Sequence, residues 1–190
     1  MQDNIQRIFN ESIEVKRQTL ACNSLQIEHA AKAMIQSLEK GGKILLFGNG
    51  GSAADSQHVA AEFIGRFQRE RRSLAAIALS TDTSIITALG NDYSFDIIFS
   101  RQIEGLGRSE DIAVGLSTSG NSKNVVEGIK AAKKIGMKTI SLTGNDGGQV
   151  AKLTDISLIV PSRNTARVQE AHSCLAHILC ELIEDYFQAS

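Results

Sequence analysis

Five short apolar runs divide the chain: KILLF at 43–47, AAIAL at 75–79, DIAVGL at 111–116, KTISL at 138–142 and ISLIV at 156–160. Each is followed by a cluster of Gly, Ser, Thr, Asn or Asp and then, in most cases, by a helical segment. Unbroken apolar strands alternating with helices imply a parallel sheet covered on both faces. The intervening helices read as about 52–67, 84–88 with 95–106, 122–135 and 148–153, and a long helix over about 165–186 ends the chain. Ahead of the first strand, Ile5, Ile8, Phe9 and Ile13, then Ile27, Ala30, Ala31, Met34, Ile35 and Leu38, recur at helical spacing. They predict two amphipathic helices, about 3–21 and 24–40, closed by Gly41 and Gly42. The expected architecture is an α/β, doubly wound, five-stranded parallel sheet with two N-terminal helices. Residues 1–190 form one domain, with the helical pair in 1–40 and the sheet in 41–190.

Composition narrows the function classes. Twenty basic and 21 acidic residues leave a formal net charge of −1, without the basic excess of a general nucleic-acid or membrane-surface binder. Tryptophan is absent, which also disfavours base-stacking platforms. Three cysteines, Cys22, Cys174 and Cys180, form no C-x-x-C and no disulfide spacing, so buried thiols in a reducing cytosol are expected. The N-terminus MQDNIQRIFNESIEVKR is charged throughout, unlike a signal peptide, and no apolar run is long enough to span a bilayer. A cytoplasmic protein is the expectation.

In a doubly wound sheet, ligands bind beyond the carboxyl ends of the strands. The loops there read FGNGGSAAD, LSTDTS, LSTSGNS, LTGNDGG and VPSRNT, all rich in small polar residues. Gly48, Gly50 and Ala53 satisfy the dinucleotide pattern G-x-G-x-x-A. A dinucleotide site also needs an acidic residue after the second strand, roughly 20 residues on. The nearest candidate, Asp82, lies 34 residues beyond Gly48, and no Gly-Lys-Ser/Thr follows the loop. No nucleotide cofactor is therefore expected. The loop Ser117-Thr118-Ser119-Gly120-Asn121-Ser122 places four hydroxyls between a buried strand and a helix start. Hydroxyl donors, backbone N–H groups and the helix dipole make an anion site suited to a phosphate monoester. Ser122 as a helix cap would explain one of the four hydroxyls and no more.

His58 and Glu62 stand at i, i+4 on the helix that the glycine loop launches, about 6 Å apart along its axis. The C-terminal helix adds Gln169, Glu170, His172 and His177. At 100° per residue, Val168, His172, Leu175, Leu179, Leu182 and Tyr186 form one apolar stripe. Ala176, Cys180 and Ile183 form a second, with Gln169 within it and His177 on its border. A helix apolar on two sides is expected to be buried by its own sheet and by a partner subunit. His172, on the main stripe, reads as a packed core histidine. His58, Glu62 and His177 are plausible zinc ligands of mixed N/O type. Gln169 and His177 lie about 12 Å apart along one helix. Gln169 therefore comes from a neighbouring subunit or does not share that ion.

The motifs GNGGSAADSQHVAAE, TALGNDYSFDIIFSRQ, STSGNS and TARVQEAHSCLAHILCELIE together resemble those of the phosphoheptose isomerase family, across essentially the whole chain. That resemblance implies the SIS sugar-isomerase fold, a three-layer flavodoxin-like arrangement. It further implies aldose–ketose isomerisation of sedoheptulose 7-phosphate to D-glycero-D-manno-heptose 7-phosphate, the first step toward nucleotide-activated heptose for lipopolysaccharide or related surface polysaccharide. A homotetramer with active sites at subunit interfaces, and a zinc ion in each, belong to the same implication. Carried over by position, Asn49, Gly50, Gly51, Ser52, Asn91 and Asp92 contact the sugar, and Ser117, Thr118, Ser119 and Ser122 hold the phosphate. Glu62 and His177 are the acid/base pair, and His58, Glu62, Gln169 and His177 the metal ligands, with Glu62 and Gln169 also touching substrate. Some members carry an aspartate where this chain has Ala166, so no sugar contact is expected from that point.

The main rival is a non-catalytic adapter of the replication-initiator-associating type, which is similar to this chain in MQDNIQRIFNESI and RFQRERRSLAAIALSTD. That adapter lacks acid/base residues at the positions of Glu62 and His177, and this chain has both. A sugar-phosphate-sensing transcription regulator would need a DNA-binding domain ahead of the sheet, where only two plain helices are read.

Overall fold

The structure, a computed structural model, describes residues 1–188. The expected sheet is there: β1 (Ile44–Gly48), β2 (Ala76–Ala78), β3 (Ile112–Ser117), β4 (Lys138–Gly144) and β5 (Ile156–Val160), all parallel, in the order β2-β1-β3-β4-β5. Between them run α2 (Gly51–Ile64), α3 (Thr83–Asp92), a single 3₁₀ turn (Phe95–Ile97), α4 (Ile98–Leu106), α5 (Lys123–Ile135) and α6 (Gly148–Leu153). The chain closes with α7 (Thr165–Gln188).

Strand pleating explains why the runs are apolar without interruption. Alternate residues point to opposite faces, and both faces are covered. Ile44 and Leu46 face a core with Met34, Phe63, Leu175 and Leu179, whereas Leu45 and Phe47 face Phe99, Ile103, Val125 and Ile129. Phe47 and Phe99 stack at 5.4 Å between ring centroids.

At the N-terminus the two expected helices are one. The helix α1 runs unbroken over Gln2–Glu39. Asn23 and Ser24 carry the local signature of a turn, but Asn23 has a distant partner that holds it inside the helix. Its amide donates to the Ile159 carbonyl (2.9 Å) and accepts from the Ile159 N–H (2.9 Å). The outer edge of β5 is thereby paired by a side chain in place of a further strand.

On α7 the apolar stripes are buried within this chain through Val168, His172, Leu175, Ala176, Leu179, Cys180 and Ile183. Leu182 and Tyr186 remain exposed. The thiols differ from expectation: Cys180 is buried, Cys174 half-buried and Cys22 exposed. Cys22 faces outward because the core-facing positions of that turn of α1 are Thr19 and Asn23. Among the described residues no helix is long and apolar enough to cross a membrane.

Candidate active site

The strand order reverses between β1 and β3: the chain goes from β1 outward to β2, then crosses to β3 on the other side. The crevice of a doubly wound sheet opens at that switch point. The β1–α2 loop, with Asn49 and Gly50, and the β3–α5 loop, Thr118–Ser122, stand side by side above it.

The second loop gathers its hydroxyls inward. Ser117 Oγ lies 3.0 Å from Ser122 Oγ and 3.5 Å from Ser119 Oγ, and the Asn121 N–H donates to Ser119 Oγ at 3.2 Å. Ser122 occupies the N-cap position of α5, yet its side chain makes no capping bond. Turn chemistry accounts for Ser119, and cap chemistry does not account for Ser122. Gly120 shapes the loop: its φ is +66°, and a Cβ there would meet the Gly147 carbonyl oxygen at 2.1 Å. Asn121 Oδ1 accepts the Gln149 N–H at 3.1 Å, which ties the loop to the start of α6. The result is a cradle of neutral donors at a helix N-terminus, able to hold an anion without Lys or Arg. Asp82, the weak dinucleotide candidate, is used elsewhere: it caps α3 by accepting the Ile85 N–H.

Helices α2 and α7 run parallel and meet in register, rung by rung. Gln169 packs on Gly51, where a Cβ would come within 2.5 Å of its Nε2. One turn on, Ser173 Oγ donates to Asp55 Oδ1 at 2.9 Å. A further turn on, His58 Nε2 and His177 Nε2 are 3.0 Å apart. The two rings meet edge to face at 5.2 Å between centroids. Glu62 Oε1 lies 3.5 Å from His58 Nε2. The His58 side chain is half exposed and that of Glu62 is 20% exposed, so both reach solvent and a ligand. Phe67 closes one side, its ring 5.3 Å from that of His177. The loop carrying Phe67 is held by the buried Glu184 carboxylate, which accepts the N–H groups of Phe67, Gln68 and Arg69. Burial pushes that carboxyl up, but these three bonds and the Arg71 charge outweigh it and hold it below the usual range. Cys180 beneath is inert as a nucleophile: burial, then the Glu62 charge, push its thiol up to about 12.

Two ligand atoms on one tetrahedral zinc stand about 3.3–3.5 Å apart. The His58–His177 and His58–Glu62 separations, 3.0 and 3.5 Å, suit such sharing. Two imidazoles and a carboxylate are also an ordinary zinc donor set. The set is incomplete: among the described residues no ion pair joins Glu62 to His177, and no three His, Cys, Asp or Glu side chains of this chain are arranged to hold a metal ion together. Gln169 sits two turns before His177, over Gly51, and does not join the cluster within one chain.

The other expected site residues divide. Gly50, at φ +55° and ψ −120°, and Gly51 expose backbone at the start of α2. Ser52 is buried at 3% exposure. Asn49 is occupied by Asn124, each amide donating to the other at 2.8 Å. Asn91 and Asp92 bond only each other, on the exposed end of α3, among the described residues. His172 is a core residue as expected, wholly buried. Sequence reasoning missed Asn124, Asp55 and Phe67. Asp55 was open to detection, since it precedes His58 by three residues on the same helical face. No local pattern marks the other two.

Comparison with known proteins adds the following. A family model described as SIS domain matches residues 8–144. The phosphoheptose isomerase of Aquifex aeolicus is 53% identical over 185 residues, covering 97% of each chain. That of Helicobacter pylori is 50% identical over 185 residues, 97% of this chain and 96% of that protein. The solved structure of phosphoheptose isomerase GmhA from Neisseria gonorrhoeae is similar with a TM-score of 0.92 and 48% identity, over 97% of this chain and 98% of that one.

Proposed function

The chain belongs to the phosphoheptose isomerase family of SIS-domain proteins and is an isomerase, and we propose that it converts sedoheptulose 7-phosphate to D-glycero-D-manno-heptose 7-phosphate. The observation that carries this reading is the convergence of His58, Glu62 and His177 between α2 and α7, two to three turns down from the loop edge that bears the serine cradle. Aldose–ketose isomerisation moves one proton between C1 and C2, and another between O1 and O2, through a cis-enediol(ate). It needs a base beside the carbons, proton traffic at the oxygens and a distal anchor for alignment. Glu62 removes the C1 proton and returns it to C2. His177, held between the His58 and Phe67 rings, moves the proton at the oxygens. Ser117, Thr118, Ser119 and Ser122 grip the phosphate, and the backbone at Gly50 and Gly51 lines the sugar.

Zinc, held by His58, Glu62 and His177 with Gln169 from a second copy of the chain, would supply Lewis-acid polarisation of the carbonyl oxygen. The position of Gln169 over Gly51, two turns from His177, supports assigning it to a neighbour's site. Asn91 and Asp92, exposed at the end of α3, are assigned to the sugar. Exposed Ile5, Phe9, Leu20 and Leu25 on α1, with Leu182 and Tyr186 on α7, supply apolar surface for a homotetramer. The product feeds nucleotide-activated heptose for surface polysaccharide.

The test is incubation of metal-replete protein with sedoheptulose 7-phosphate, scored for the aldose product. Turnover is expected. A folded, metal-replete protein that leaves the ketose untouched would overturn the substrate assignment and favour the adapter.

A further inference from the structure

We propose that Asn124, on the first turn of α5, is a positioning residue of the isomerase site, and that Asn49 works as its partner instead of as a ligand of the sugar. This rests on the sugar-phosphate isomerase reading above. The two side-chain amides face each other and exchange a pair of hydrogen bonds, both 2.8 Å. Asn124 is 3% exposed and Asn49 half-buried, so the pair is largely shielded from competing water. Each carbonyl oxygen is already accepting, and each NH₂ is already donating. An Asn49 side chain held at both ends does not turn toward a substrate hydroxyl without breaking two bonds.

The location of the pair gives it its role. Asn49 immediately precedes Gly50 and Gly51, whose backbone lines the sugar at the start of α2. Asn124 follows Ser122 of the cradle by two residues. The amide pair is thus a cross-link, 75 residues long in sequence, between the loop at the reacting end and the loop at the phosphate end. Gly50 adopts φ +55° with ψ −120°, a backbone region with no stabilisation of its own, and open space surrounds its Cα. The Asn49 and Gly50 carbonyls accept the Ser52, Ala53 and Ala54 N–H groups, which tie the loop to α2, and the Asn49 side chain adds the tie across to the β3–α5 side. Catalysis by alignment is sensitive to such a link, since a displacement of roughly 1 Å costs on the order of 10²-fold in rate.

The experiment compares wild type, Asn49→Ala, Asn124→Ala and the double variant, measuring kcat, KM and competitive inhibition by inorganic phosphate. Each single substitution should lower kcat about 10- to 100-fold. The inhibition constant of phosphate should stay within about twofold, because the cradle hydroxyls are untouched, a split that general unfolding would not give. The double variant should be no worse than the more damaging single one, as for two halves of one interaction. Should Asn124→Ala not fold, Asn49→Ala on the half-buried side reads the same split alone. A fully active Asn124→Ala, losses that multiply in the double variant, or weakened phosphate inhibition at unchanged kcat would each overturn the proposal. Wild type without turnover overturns the isomerase reading and this inference with it. Active wild type beside an unaffected Asn124→Ala overturns the inference only.

Discussion

The two ends of this sheet carry polar groups of similar kinds and treat them in opposite ways. At the amino end, carboxylates are closed. Asp111, 2% exposed, accepts the Lys43 and Arg108 N–H groups and the Lys43 ammonium at 2.6–2.9 Å. Asp155 accepts the Thr139 N–H and hydroxyl, and although burial raises its carboxyl, these bonds and Lys133 bring it below the usual range. At the carboxyl end serine hydroxyls gather in a cradle, and between α2 and α7 two imidazoles meet nitrogen to nitrogen with a carboxylate beside them, all within reach of solvent or a ligand. A group whose bonds are complete can only stabilise; one left partly unmatched can take a ligand. The closed carboxylates at the amino edge serve stability, the groups open to a ligand lie at the carboxyl edge and between α2 and α7, and substitutions should separate the two sets.

The largest effect expected is on chemistry alone. Glu62→Gln keeps shape and removes the base, so kcat should fall 10²- to 10⁴-fold, on the order of a lost general base. Thermal unfolding should move little, since the Glu62 carboxylate reaches solvent. Near-normal turnover by this variant would eliminate Glu62 as the carbon base.

Asp111→Ala inverts the pattern. Two backbone N–H groups and a largely buried ammonium lose their acceptor, which costs about 3 kcal/mol of stability. Denaturant unfolding at unchanged slope would show it, while turnover per folded molecule stays at the wild-type level. A fall in specific activity as large as the fall in stability would show that the two sets of groups are not independent.

How much of this contrast the sequence displays follows from how local each signal is. Strands and their loops were legible because strand pleating and glycine punctuation act over a few residues. His58 and Glu62 were legible because four residues make one helical turn, and His172 because its stripe is apolar. The unbroken α1 was not, since Asn23 reads as a turn until its bonds to Ile159 are known. The mutual occupation of Asn49 and Asn124 was hidden for the same reason. Gln169 is intermediate. Helical rise separated it from His177 on sequence grounds, and only the structure shows that it packs on Gly51 instead.

A smaller effect tests whether the cradle is a binding device or turn chemistry. Ser122 sits at an N-cap without making the capping bond, its hydroxyl 3.0 Å from that of Ser117. Ser122→Ala should leave the unfolding free energy within about 0.5 kcal/mol of wild type, below the ordinary cost of a lost cap. KM for the sugar phosphate should rise roughly tenfold, the equivalent of one hydrogen bond to a charged group. Steady-state kinetics beside a denaturation curve would decide it; lost stability at unchanged KM would mark an ordinary cap.

The smallest effect concerns a group that neither edge has closed. His172 is wholly buried, and neither ring nitrogen has a hydrogen-bond partner among the described residues. Burial, above all, holds its pKa below the usual 6.5, against the opposing pull of the Thr143 backbone and the Asp55 charge. The unfolded chain takes up a proton here that the native chain refuses. Stability should therefore fall as pH drops below about 6.5, by at most about 1.4 kcal/mol per pH unit from this group. Glu184 and Asp155, both held below their usual values, act in a separate window: their contributions are full above about pH 4.5 and fade as pH falls further. His172→Leu removes the first slope and leaves the second. Urea midpoints between pH 7 and 5 would read the difference. Parallel curves for the two proteins would mean that His172 accepts its proton inside the native fold, with the Asp55 charge offsetting the desolvation.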